Sequence, residues 1–302
     1  MSASTPPPRL FDRALLARRL DRAILAPERD VGADFLLRRA AEELGERLNL
    51  VTRGFAVAAD IGTPGPHAAL ALAGRAGLVL RLAPTRASLG EGDFLRLVGD
   101  AARLPFTAGG LDLAVSLLAL HHVDDLPGAL IQIRAALRPD GLLLAALMGG
   151  DTLTELRQSL TIAESEITGG AAPRVAPFAD VRALGGLLQR AGFALPVVDS
   201  DRVVARYADL SRLTRDLRAF GATNALVARS RAPVRREIFA RAQAVYAERF
   251  ADPDGRLRAT FETLWLSGWA PHASQPKPLK PGSAAMRLED ALKLARGRDG
   301  EN

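Results

Sequence analysis

Phe55-Ala-Val-Ala-Ala-Asp-Ile-Gly-Thr-Pro-Gly-Pro66 is the stretch whose reading decides the fold. Its apolar run is short and unbroken, as in a strand buried on both faces of a parallel sheet. Asp60 closes the run, and Gly62 and Gly65 follow. A glycine turn straight after a strand lets the backbone pass close to a ligand. His67 to Arg75 then reads as a helix. Strand, glycine turn and helix open a Rossmann-type unit, whose ligand sits at the carboxyl end of the strand. Glycine turns follow many strands, so the stretch alone fits a purely structural role equally well.

Downstream, Gly77 to Leu82, Phe94 to Val98, Leu111 to Leu118 and Leu142 to Met148 read as further strands. Leu126 to Leu137 is a helix, and Pro139-Asp140-Gly141 makes the turn out of it. Strands and helices alternating at this spacing argue for an α/β, doubly wound parallel sheet. Thr152 to Thr168 is a long helix in which Thr152 and Glu155 have capping-box spacing. Phe178 to Ala191 is another, closed by Gly192. Pro196 to Arg206 and Thr260 to Trp269 return to the sheet, with helices over Leu210 to Ala219 and Pro233 to Phe250 between them. Upstream, Leu10 to Leu25 and Phe35 to Leu48 are amphipathic helices, the first with its arginines turned outward, placed to lie over the ligand pocket. The Pro-rich residues 1 to 8 and the tail from Ser274 read as loosely ordered.

Composition narrows the function classes. The 302 residues are 48% hydrophobic and 25% charged, which suits one large domain or a domain with a sizeable extension. Without cysteine there is no disulfide, thiolate nucleophile or cysteine-ligated metal. His67, His121, His122 and His272 form no helical H-x-x-x-H pair, so no metal is expected. Every apolar run is shorter than the ~18 residues of a membrane span. The N-terminus lacks the apolar core of a signal peptide. A cytoplasmic protein, peripheral to a membrane at most, is the expectation. The net charge of +6 is almost all arginine, lysine standing only at Lys277, Lys280 and Lys293. These arginines are mixed with acids, as on solvated helix faces, and no aromatic-interleaved basic stripe suggests nucleic acid.

Several blocks together carry more than a fold. Gly99-Asp100-Ala101 with Leu104-Pro105-Phe106 follows the third strand, Leu111-Asp-Leu-Ala-Val-Ser-Leu-Leu-Ala-Leu-His-His122 forms the fourth and its exit, and Leu137-Arg-Pro-Asp-Gly141 precedes the fifth. This resembles a class I S-adenosylmethionine-dependent methyltransferase of the small-molecule and biotin-pathway type. Met148-Gly-Gly-Asp-Thr-Leu-Thr-Glu-Leu-Arg157 narrows it, together with Phe11-Asp12-Arg13, Ala176-Pro177-Phe178, Arg190-Ala191-Gly192-Phe193, Gly268-Trp269 and Gly282-Ser283-Ala284. Almost end to end, the chain is similar to the complex I assembly factor 5 group, the arginine hydroxylases of a complex I core subunit.

That resemblance implies a Rossmann-like class I methyltransferase fold with a mostly parallel seven-stranded sheet. In chain order it implies an N-terminal arm and helices over 1–50, a methyltransferase-like domain over 51–206, and a helical extension, closing strand and flexible tail over 207–302. It implies S-adenosyl-L-methionine as cofactor and the iron–sulfur subunit of NADH:quinone oxidoreductase as partner, in a bacterial relative of that factor. Asp60, Gly62 and Gly65 would form the cofactor loop. Asp100 would accept from the adenine amino group with Ala101 beside it, and Leu118 and His121 would line the exit of the fourth strand.

The sequence departs from the family's D-x-G-x-G-x-G at its second and third glycines, which are Pro64 and Pro66 here. Proline removes a backbone donor and fixes φ near about −65°. The ribose-gripping acid expected after the second strand is also missing; Arg81, Leu82 and Ala83 stand there and cannot accept the bonds. Losing two charge-assisted contacts of roughly 1.5–3 kcal/mol each costs about two or more decades of affinity. Two readings stay open: a modifying enzyme acting on a protein or a small carboxylate, and a pseudo-enzyme kept as a binding module.

No residue carries a signature of catalysis. His121 and Asp151 are the candidates, His121 because imidazole titrates near neutral pH. His121 serves loop hydrogen bonding equally well. Thr152 and Glu155 could face a substrate or simply cap a helix. Arg157, Trp269 and His272 are the remaining substrate or partner candidates, against a bland reading of solvated helix face and edge packing.

Overall fold

The computed structural model describes residues 9–26 and 32–276, so the expectations for the N-terminal arm, the tail from 277 and the Gly282 block lie outside it. The chain divides into two units, Met1–Pro271 and His272–Asn302. The first carries α1 (Arg13–Ile24), α2 (Phe35–Asn49), β1 (Phe55–Ile61), α3 (His67–Leu72), β2 (Ala76–Ala83), α4 (Arg86–Leu89), β3 (Leu95–Val98) and β4 (Leu111–Leu117). After a 3-10 turn at Leu120–His122 come α5 (Leu126–Ala136), β5 (Leu137–Met148), α6 (Thr154–Thr168), α7 (Val181–Arg190), β6 (Ala194–Tyr207), α8 (Leu210–Ala219), α9 (Arg236–Phe250) and β7 (Leu257–Trp269).

The seven strands form one sheet in the order β3-β2-β1-β4-β5-β7-β6. β1 to β5 run parallel, and β7 is antiparallel to both β5 and β6. β4 is buried along its whole length, which is why Leu111 to Leu117 reads as an almost continuous apolar run. One core fills the face under α2, α3, α6 and α9 with residues such as Leu44, Leu72, Leu156 and Tyr246. The other lies under α5 and α7, with Leu130, Ile133, Leu184 and Leu188. Strand order reverses between β1 and β4, which places the ligand crevice at their carboxyl ends.

Two sequence expectations shift for physical reasons. β5 begins at Leu137 rather than Leu142, because Pro139-Asp140-Gly141 is a bulge within the strand. Asp140 takes φ 65°, and the register against β4 shifts between Leu111 and Leu113. The capping box at Thr152 and Glu155 does not form. Leu153 occupies the N-cap of α6 in the left-handed region, and both polar side chains turn elsewhere. The closing strand expected after residue 207 is β7, which lies inside the sheet between β5 and β6. Among the described residues no helix is long and apolar enough to cross a membrane.

Candidate functional site

A cavity of about 1150 Å³ opens at the carboxyl ends of β1 and β4. That is at or above the ~300–1,000 Å³ usual for small-molecule sites. Gly62, Pro64, Pro84, Gly99, Asp100, Ala101, Leu118 and His121 wall its sheet end. The rest is closed by α1, α2, the start of α6 and the α8–α9 region, as the two leading helices were expected to do. Leu118 leaves β4 with φ 51° and Leu153 enters α6 with φ 54°, so two bulky residues are held in the left-handed region at the cavity wall. Such strain clusters at ligand sites.

Asp60 and Gly65 are not where the resemblance puts them. Asp60 is wholly buried and its carboxylate pairs with Arg81, also wholly buried, across the β1–β2 register. Arg81 also donates from Nη2 to the carbonyls of Thr63 (3.0 Å) and Ser88 (2.5 Å), and from Nε to that of Leu89 (2.6 Å). One guanidinium therefore ties the loop after β1 to α4 and satisfies its own donors against oxygens. Burial pushes the Asp60 carboxyl up, while the Arg81 charge and Thr63 pull it back. Gly65 takes φ 102° and faces His67 and Leu37 of α2, away from the crevice.

Gly62 is the loop glycine that still meets the crevice. With φ 77°, a Cβ there would touch Ala101 and Ala119 at 3.4 Å, so only glycine holds this backbone without strain. Asp100 lines the cavity as expected. Its Oδ1 accepts from the Ala102 N–H at 2.7 Å and pairs with Arg13 of α1. Arg13 thus turns inward rather than outward as the sequence pattern suggested, and Arg19 of the same helix likewise donates to the Asn224 carbonyl. Its Nη1 is buried beside Asp100 without a partner. The end where the resemblance places adenine therefore keeps an acceptor, an open donor and close backbone approach, and its residues fit that group. The opposite end does not, because Asp60 is sealed in the Arg81 pair and Pro84 stands on the wall after β2.

His121 and His122 stack in a tilted pair at 4.1 Å, with Phe178 edge-on to His121 and Phe11 edge-on to His122. Part of each ring opens to the cavity, yet protein surrounds both. Burial and the neighbouring His122 charge drive His121 well below the usual imidazole range. Burial and the Arg13 charge bring His122 to about 4. Both rings are neutral at physiological pH, and a base that holds its proton so loosely is a poor match for proton abstraction there. His121 Nδ1 accepts from the Met148 N–H at 3.4 Å.

A pH dependence follows. The unfolded chain protonates these imidazoles below about 6.5, whereas folded His122 stays neutral to about 4. Their contribution to stability is complete above pH 6.5 and is lost as pH falls through that window. Thermal melts between pH 7.5 and 4.5 should show this loss, and His122→Gln should shrink it; an unchanged slope in the variant contradicts the assignment.

The remaining expected site residues are engaged in contacts within the protein. Thr152 lines the cavity, but its hydroxyl donates to the Glu262 carbonyl and accepts from the Glu262 N–H, both at 3.1 Å. Glu155 is 7% exposed and faces β7, accepting from the Thr260 N–H at 3.1 Å and from its hydroxyl. Asp151 lies on the surface, paired with Arg202, and is not among the residues that wall the cavity. Arg157 Nη2 donates to the carbonyls of Gly150 and Thr152 and pins the turn before α6. Trp269, half-buried at the end of β7, carries the Arg53 guanidinium 6.0 Å over its ring. In the second unit, His272 is exposed and its Nδ1 lies 2.7 Å from Ser274 Oγ. Among the described residues no group of three or more acids and histidines could hold a metal.

The strand order and the crevice between β1 and β4 define a class I methyltransferase fold. Residues 61–145 match the model of the methyltransferase domain family. The YcgJ protein of Bacillus subtilis superposes with a TM-score of 0.54 at 15% identity, covering 76% of this chain and 99% of that one. Over 298 residues the chain is 36% identical to the mitochondrial arginine-hydroxylase NDUFAF5 of Danio rerio, spanning 95% of this chain and 91% of the relative. It is also 35% identical over 289 residues to a malonyl-[acyl-carrier protein] O-methyltransferase of Laribacter hongkongensis, spanning 90% and 94%. The chain belongs to the arginine-hydroxylase NDUFAF5 family, within the methyltransferase superfamily.

Proposed function

We propose that this protein is a methyltransferase-fold assembly factor for the NADH:quinone oxidoreductase, binding the iron–sulfur core subunit, with weakened affinity for S-adenosylmethionine. The observation that carries the reading is the Arg81–Asp60 pair: it removes the acid of the cofactor loop into the core and leaves no carboxylate after β2. Family membership along nearly the whole chain supports the partner. Nucleic acid is no part of this reading, which places the protein in the cytoplasm.

A second reading, an active S-adenosylmethionine-dependent methyltransferase of a protein or small carboxylate, is favoured by the intact Gly62, Asp100 and Ala101 wall and by the likeness to the acyl-carrier methyltransferase. Co-purification separates the two. Asp100→Ala, at a half-exposed side chain, should leave capture of the iron–sulfur subunit intact. A folded Asp100→Ala protein that no longer captures it would overturn the assembly-factor reading in favour of the enzyme.

A further inference from the structure

The cavity described above extends well past the sheet end, and its far part is walled by Leu156, Leu160, Leu217, Phe220, Phe239 and Phe261. These come from α6, α8, α9 and β7, none of which supplies the cofactor loop. We propose that this chamber binds an anionic amphiphile, a carboxylate carrying one long apolar tail, with the tail among these side chains and the head at the α8–α9 mouth. The inference rests on the reading that polar cofactor contacts are weakened, and names a ligand for the same cavity.

Charge selects the head. Six charged residues line the cavity, and four are accounted for in pairs or contacts: Arg13 with Asp100, Arg174 with Glu164 outside the wall, and Asp216 facing the Tyr207 hydroxyl. Arg218 and Arg236 have no ion-pair partner among the described residues, and both are exposed at the edge of the cavity with Val234. Two free guanidiniums at an apolar mouth suit a carboxylate, which each can hold with two parallel bonds. The neutral His121 and His122 at the opposite end add no competing charge.

Apolarity selects the tail. A peptide segment threaded among these six apolar side chains would bring backbone N–H and C=O groups that they leave unpaired, each at a cost, the polar lining residues Thr214 and Asn224 lying outside this apolar set. A hydrocarbon tail brings none. It gains on the order of 0.8 kcal/mol per buried methylene, which is roughly fourfold in affinity.

The full chain is titrated with cis-parinarate by fluorescence, and the probe is displaced with octanoate, decanoate and dodecanoate below their micelle concentrations. Saturable binding is expected, each added methylene tightening it about fourfold. Arg218→Glu with Arg236→Glu, at two exposed positions, should weaken dodecanoate at least tenfold and strengthen dodecyltrimethylammonium. Absent displacement, affinity independent of tail length, or an unchanged double variant would each overturn the inference. The same samples receive S-adenosylmethionine. No carboxylate binding together with tight cofactor binding removes both this inference and the weakened-cofactor reading; no binding of either removes this inference alone.

Discussion

Arg81→Ala should destabilise the protein by about 3–5 kcal/mol, the cost of leaving one member of a buried ion pair without its partner. No other substitution at the loop should cost as much. Arg81 is wholly buried, and the change strands the Asp60 carboxylate and removes the donors to the carbonyls of Thr63, Ser88 and Leu89 together. Urea titration at pH 7 measures the loss directly, and a chain of this size should melt roughly 6–15 °C lower. The penalty should depend on pH. Without Arg81 the main influence left on Asp60 is the burial that already pushes its carboxyl up. Folded Asp60 then takes a proton more readily than the unfolded chain, whose carboxyl titrates near 3.9. The variant's stability therefore falls as pH rises above about 4 and levels off once folded Asp60 is ionised, and the gap to wild type, whose Asp60 carboxyl is also raised but is pulled back by Arg81, widens over the upper part of that range. A pH-independent loss, or one below about 1 kcal/mol, contradicts the role given to the pair. Arg81→Lys keeps the charge but not the three-carbonyl fork, so it should recover only part of the loss.

Pro84→Asp should tighten S-adenosylmethionine binding about ten- to a hundredfold. Pro84 follows β2, lines the cavity and is exposed, so a carboxylate fits there without entering the core. One charge-assisted acceptor to the ribose hydroxyls contributes roughly 1.5–3 kcal/mol. The comparison variant is Ala83→Asp, one residue earlier. Ala83 is wholly buried, so an acid there lacks solvent and a partner and should unfold the protein instead of binding cofactor. Equal affinity in Pro84→Asp and wild type would mean that the missing acid is not what limits the site.

Much of the fold was legible because its signals are local. The almost continuous apolar run of Leu111 to Leu117 announces a central strand, and Leu210 to Ala219 shows the periodicity of a helix with one buried side. The departures lie where local patterns compete with tertiary pairing. Thr152 and Glu155 have capping spacing, but β7 offers them better partners at Glu262 and Thr260. Pro139-Asp140-Gly141 reads as a turn, yet Ala270 pairs with Asp140 and Gly141 across it and keeps it within the strand.

Gly62, Asp100, Ala101, Leu118 and His121 line the cavity, and the sequence marks them because each follows the end of a strand, where doubly wound sheets bind ligands. The absence of a ribose acid was legible too. Its consequence was not: Arg81 looked like a mere substitution, and only the register shows it opposite Asp60. Arg13 was hidden for the same reason, since its partner Asp100 is 87 residues away.

Calorimetric titration of the purified full chain with S-adenosylmethionine and S-adenosylhomocysteine bears on the weakened site without intermediaries. No heat up to high micromolar cofactor, with heat recovered in Pro84→Asp, is the expected result. A low-micromolar dissociation constant in the wild-type protein, lost in Asp100→Ala, would contradict it and make the protein a cofactor-binding methyltransferase in spite of Arg81, Pro64 and Pro66.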